Sequence, residues 1–207
     1  MRPPVRSRRG VTLLELVVVA AIISILSGVA VTVLARSRDR AQLAVCQSNM
    51  RQLGFALAMY AQDHGGLLPQ VHYGEGDLIA KWSAAITPYC QLRDIQCPLW
   101  DRRATGLWLS YVLNSAFSHG ESLLEVPDPS ATILAAERRP GYTHLDYHWQ
   151  AGPRPGPGVD ALALEDSIDV ARHAGVSNYL FVDGHTETMP LDYTIQPINL
   201  HDPHRTQ

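Results

Sequence analysis

Residues 10–34 read GVTLLELVVVAAIISILSGVAVTVL, and the 24 residues after the glycine hold a single ionisable side chain, Glu15. A helix of that length rises about 36 Å, enough to span a bilayer core of about 30 Å with some tilt. A carboxylate inside such a run costs about 2.5–3.5 kcal/mol if it faces lipid, so it needs a partner. Ahead of the run lie Arg2, Arg6, Arg8 and Arg9 with no acid, a bias that favours a cytoplasmic N-terminus. Arg36, Arg38 and Arg40 lie beyond it and blur that bias. An ordinary secretory signal fits worse, because the apolar segment is too long and lacks an A-x-A-like exit.

Basic leader, glycine, glutamate offset and apolar length together resemble the signal of bacterial type IV prepilins and type II secretion pseudopilins. The usual form in that family is Gly followed by Phe-Thr-Leu-Ile-Glu; here Gly10 is followed by Val11-Thr12-Leu13-Leu14-Glu15. The resemblance implies cutting by an inner-membrane prepilin peptidase between Gly10 and Val11, then N-methylation of Val11. It also implies that Glu15 pairs with the terminal amine of a neighbouring pilin subunit during assembly. The chain departs from the pattern at Val11, where phenylalanine is usual, and has no proline near mid-helix, where Gly28 is the only softener. On this reading residues 1–10 are a leader and 11–34 a transmembrane and assembly helix. The N-terminus is then cytoplasmic, and the C-terminal domain is periplasmic or on an extracellular fibre.

Loss of the leader's four arginines takes the formal net charge from −3 to −7, a poor composition for a nucleic-acid binder. After the apolar run there is no proline until Pro69, and Leu43, Cys46, Met50, Leu53, Leu57 and Tyr60 recur at steps of three and four. The spacing predicts that the helix continues from about residue 13 to 64, with residues 35–66 as its second part and Gly65-Gly66 as its stop. Residues 67–207 are then one globular domain of ordinary size.

Four later segments extend the resemblance. Cys46, Asn49, Arg51, Gln52, Leu53, Gly54, Tyr60, Asp63, Gly66 and Pro69 are similar to the C-x-x-N-L-R-Q-L-G…Y-x-x-D-x-x-G-x-x-P pattern of many prepilin-like proteins. TPYCQLRDIQCPLWD and LSYVLNSAF resemble their PY…CPSD and SYxxN segments. His173, followed by nine residues and Asp183-Gly184, resembles the H-X9-DG domain of prepilin-processing-associated proteins. Cys46 and Cys97 both lie in family-like contexts and Cys90 does not. Of the three possible pairings the resemblance therefore favours Cys46–Cys97, which would close a loop of about 50 residues and contribute about 4 kcal/mol in the chain-entropy model.

Read physically, residues 173–184 are mostly hairpin. Residues 178–182 form a strand, Asp183-Gly184 a two-residue turn, and 185–189 the return. His173 lies in the entering loop, bonding across to the hairpin. A sharper reading lets His173, Asp183 and His185 converge on a cation, with His144 and His148 as further donors. Asp160, Glu165, Asp166 and Asp169 offer oxygens for calcium but lack EF-hand spacing. The expectation is no cofactor and no metal. With no G-x-S-x-G, H-E-x-x-H or phosphate loop, the sequence offers no catalytic residue.

Residues 77–86 read as a short helix, and 109–114 and 132–137 as strands. Residues 151–158 read as an exposed loop, and the tail past residue 191 as loosely wrapped. The four tryptophans read as packing anchors. The fold expected is α+β and pilin-like, a long N-terminal helix with a small antiparallel sheet on its second half. The function expected is a non-enzymatic fibre subunit whose partners are the prepilin peptidase, other pilins and the inner membrane. The alternative is an anchored periplasmic binding protein that does not polymerise; a third class is an anchored metalloenzyme.

Overall fold

The computed structural model describes residues 12–70, 81–91, 93–100, 109–117, 121–142, 144, 146–147, 161–196 and 199–203. The chain divides into two units, Met1–Ala41 and Gln42–Gln207. One helix, α1 (Leu13–Asp63), runs unbroken through both, Gly28 included. In the first unit its side chains are exposed all round. In the second unit Cys46, Asn49, Met50, Leu53, Gly54, Ala56, Leu57 and Ala61 are buried, the stripe expected from the three-and-four spacing. The helix ends where Gly66 N–H donates to the Ala61 carbonyl at 2.7 Å, with Gly65 at φ +68° between them, the Schellman pattern.

The rest of the second unit contains α2 (Lys81–Ala85), β1 (Tyr111–Asn114), β2 (Ile133–Glu137), β3 (Asp146–Tyr147), α3 (Ala161–Ser167), β4 (Ser177–Phe181), β5 (Thr186–Met189) and α4 (Asp192–Ile195). The sheet order is β3-β1-β2-β4-β5. Four strands pair antiparallel, the small antiparallel sheet expected, and two-residue β3 joins the edge parallel to β1. The expected helix over 77–86 is α2, with residues 77–80 outside the description; the 151–158 loop also lies outside it.

Both faces of the central strands are covered, and alternation along them sorts the core in two. Tyr111, Leu113 and Leu180 pack with Met50, Leu53 and Leu57 of α1 and with Trp82. Val112, Tyr179 and Phe181 pack on the other side with Leu164 of α3, Ile168 and Leu191. The helix lies close to the sheet at one point: a Cβ on Gly54 would stand 2.8 Å from Leu180 Cδ1. Gly54→Val is therefore expected to lower stability by about 1–3 kcal/mol, the cost of overpacking outweighing the helix-propensity gain of under about 1 kcal/mol. A reduced chemical-denaturation midpoint at unchanged slope checks it.

The tail is not loosely wrapped. Ile133 N–H donates to the Leu200 carbonyl at 2.7 Å, and Asn114 Nδ2 donates to the His201 carbonyl at 2.7 Å. His201 itself is fully buried, Nε2 to Thr194 Oγ1 at 2.8 Å and edge-on to Tyr179. Pro197 and Pro203 hid this, because prolines mark loops whether or not the loops are tied down.

Burial pushes the His201 imidazole down to about 3 from its ordinary 6.5. Between those values the unfolded chain binds the extra proton, so stability is full above about 6.5 and falls as pH drops towards 3. Thermal midpoints across that window should fall, and His201→Gln should flatten the slope.

Candidate functional site

Two regions carry the residues that the sequence singles out. The first is the head of α1. Thr12 Oγ1 accepts the Glu15 N–H at 3.3 Å, so Thr12 caps the helix and Glu15 occupies its first turn, where a negative charge meets the positive helix end. Thr12-x-x-Glu15 is thus the capping-box spacing. Farther along, Ser24 donates to the Ala20 carbonyl at 2.8 Å and Thr32 to the Val29 carbonyl at 2.9 Å, so these hydroxyls are satisfied inside the helix. Glu15 is exposed and has no ion-pair partner among the described residues. Leu13, Ile25 and Leu34 are likewise exposed along the same helix. By length and composition α1 suffices to cross a membrane. Gly10 and Val11 lie outside the described residues.

The second region lies behind the H-X9-DG segment. Its two ends do not meet: His173 precedes β4 and Asp183 follows it, a strand length of about 17 Å apart. His173 Nε2 instead lies 3.1 Å from Glu137 Oε1 on β2. The other Glu137 oxygen accepts the Asn178 N–H at 3.2 Å. Arg172 Nη1 stands 3.7 Å from Glu137 Oε1, while its Nε and Nη2 each bond Asp169 Oδ2 at 2.9 Å. Asp169 Oδ1 caps the turn by accepting the Ala171 and Arg172 N–H groups. Arg138 and Arg172 both place their guanidinium carbons over the Trp100 ring, 5.3 and 5.0 Å from its centroid. Burial and the Arg172 charge lower the Arg138 guanidinium to about 10, so it stays charged at neutral pH.

This cluster abuts the cysteines. The structure joins Cys46 of α1 to Cys97, Cα–Cα 4.9 Å, and leaves Cys90 free. One helical turn along, Asn49 Nδ2 donates to the Gln96 carbonyl at 2.9 Å, so both residues hold the same loop. Cys97 Sγ is 3.9 Å from His173 Nε2.

At the far end of β4 the hairpin loop has three residues, Val182, Asp183 and Gly184, rather than the two expected. Phe181 N–H donates to the His185 carbonyl at 2.9 Å, and Gly184 N–H donates to the Phe181 carbonyl at 3.0 Å. Gly184 at φ +90° takes the left-handed position after the turn, which a side chain would strain. Asp183 Oδ1 accepts the His185 N–H at 3.0 Å and faces His185 Nδ1 at 2.5 Å. Asp183 N–H donates to the Pro129 carbonyl at 3.2 Å and Val182 N–H to that of Thr132 at 3.0 Å. These bonds pin the hairpin tip to the start of β2.

The cation sets read from sequence do not assemble among the described residues. Asp183 with His185 is separated from His173 by β4. Asp166 pairs with Arg139 at 3.0 Å, Asp169 with Arg172, and Glu165 is exposed. His144 is exposed, while His148 and Asp160 lie outside the description. Glu137, Arg138 and Arg172 escaped the sequence reading, which marks Trp100 as a packing anchor alone. The only available signal was a glutamate and an arginine ending an otherwise apolar strand. Glu137→Gln should destabilise the fold by about 3–5 kcal/mol, because it leaves two buried guanidiniums facing one carboxylate. Urea denaturation checks this.

A family model described as the prokaryotic N-terminal methylation motif matches residues 5–31. No curated protein and no solved structure matches the chain. The match takes in residues 5–10 and the first part of α1, and it supports a prepilin-type N-terminus at the head of a membrane-length helix.

Proposed function

We propose that this chain is a non-enzymatic prepilin-like subunit of a type IV pilus or a type II secretion-like fibre. Prepilin peptidase cuts between Gly10 and Val11 and the new Val11 amine is methylated. The mature chain then sits in the inner membrane with its N-terminus cytoplasmic and residues 67–207 on the periplasmic side. The observation that carries this reading is Glu15: a lone carboxylate in the apolar, exposed first part of α1, five residues past Gly10 and inside a matched methylation motif. Within one chain nothing described neutralises it except the helix end. In a stack of identical helices, the terminal amine of a neighbour supplies the missing cation, and low dielectric makes that pair far stronger than in water.

The test is the intact mass and N-terminal sequence of the native membrane-extracted protein, together with Glu15→Ala assayed for co-isolation with sheared fibres. The expected results are a chain that begins at methylated Val11 and a fibre-associated fraction reduced about tenfold or more, the equivalent of about 1.4 kcal/mol per subunit contact. A chain still carrying residues 1–10 would overturn the processing claim. Cleavage without fibre association in either form would overturn assembly.

A further inference from the structure

Cys46, Cys97, Glu137 and His173 each contribute one metal-ligand atom to a group in which all four atoms lie within 4.8 Å of one another. The residues come from α1, the loop before β1, the end of β2 and the loop before β4, so the group exists only in the folded chain. The side chains of Glu137 and His173 are 0% and 4% exposed, and both cysteines are buried. Two sulfurs, one imidazole and one carboxylate are the donors of a four-coordinate zinc site. In such a tetrahedron the ligand atoms stand about 3.3–3.8 Å apart, from metal–ligand bonds of about 2.0–2.3 Å. His173 Nε2 already stands 3.9 Å from Cys97 Sγ and 3.1 Å from Glu137 Oε1. The second Glu137 oxygen is held by the Asn178 N–H, which fixes the carboxylate from outside the site. What the oxidised chain withholds is the pair of thiolates.

We propose that reduction of Cys46–Cys97 converts this corner into a Zn2+ site of two cysteines, one histidine and one glutamate, a second cross-link between the same elements. Local opening of the corner admits a dithiol of the thioredoxin type, which attacks the disulfide, passes through a mixed disulfide and leaves as its own disulfide. Cys46 and Cys97 thereby gain two electrons and two protons. Zn2+ then binds both sulfurs and releases those two protons to solvent. The exchange conserves charge. Glu137 and Asp169 balance Arg138 and Arg172 around the neutral imidazole that a metal requires. Two thiolates add two negative charges and the ion cancels both, so the two arginines face the same net charge in the zinc form as in the disulfide form. Thiols without metal would leave α1 and the Cys97 loop without any covalent or coordinate tie. The proposal does not depend on fibre assembly.

The test uses the full chain in detergent with Cys90→Ser, reduced by a phosphine without oxygen and titrated with Co2+. One equivalent should give the visible bands of tetrahedral cobalt and a sulfur-to-cobalt charge-transfer band, both bleached by Zn2+. The oxidised chain should give neither. His173→Ala should weaken Zn2+ competition by at least about tenfold. His185→Ala, beyond the other end of β4, should leave it unchanged. The comparison of oxidised with reduced protein needs no substitution of a ligand, so it stands even where His173→Ala fails to fold. Absence of the charge-transfer band from the reduced chain would overturn the proposal. So would unchanged affinity in His173→Ala, or an equal loss in His185→Ala.

Discussion

Glu137 receives the His173 imidazole, the Asn178 amide and the edge of the Arg172 guanidinium from two neighbouring stretches of chain, and it does so with its side chain fully withdrawn from water. A buried carboxylate is tolerable only while such partners stay in place. The end of β2, the start of β4 and the turn before it are consequently fixed to one another by a single side chain. Beside that corner the disulfide joins the Cys97 loop to α1, and Asn49 repeats the tie through the Gln96 carbonyl. The apolar layers on either side of the sheet provide the bulk of burial. The ionic corner ties the end of β2 to the start of β4 and the turn before it.

The sequence was most legible where periodicity is strong. A stripe of apolar residues at helical spacing predicted α1 to within a residue at its end, because glycines and hydrophobic period both act locally. Strands β1 and β2 were legible as short apolar runs, and the hairpin as a strand-turn-strand pattern. Its loop length was not legible: Asp-Gly serves a two-residue turn or the last two places of a three-residue loop equally well, and the backbone bonds of Phe181 choose between them.

The ionic corner was invisible for a different reason. Its members are Trp100, Glu137, Arg138, Asp169, Arg172 and His173, brought together by tertiary folding, with no spacing rule to announce them. His173 was singled out by resemblance, yet its expected companions at residues 183–185 lie beyond the opposite end of a strand. Burying charge needs several partners at once, and those partners are chosen by the fold rather than by neighbours in sequence. The tail was misread because prolines report a lack of regular structure and say nothing about attachment.

The sheet's outer border at β5 has a bearing on how such a chain keeps company with its own copies. An unpaired strand edge is a template on which another chain can grow a sheet. Here the border is four residues long, Thr-Glu-Thr-Met, with Glu187 exposed. Copies brought edge to edge would set like charges against each other over too short a run to compensate. Strand pairing between copies is thereby discouraged at this edge, whatever else the chain meets.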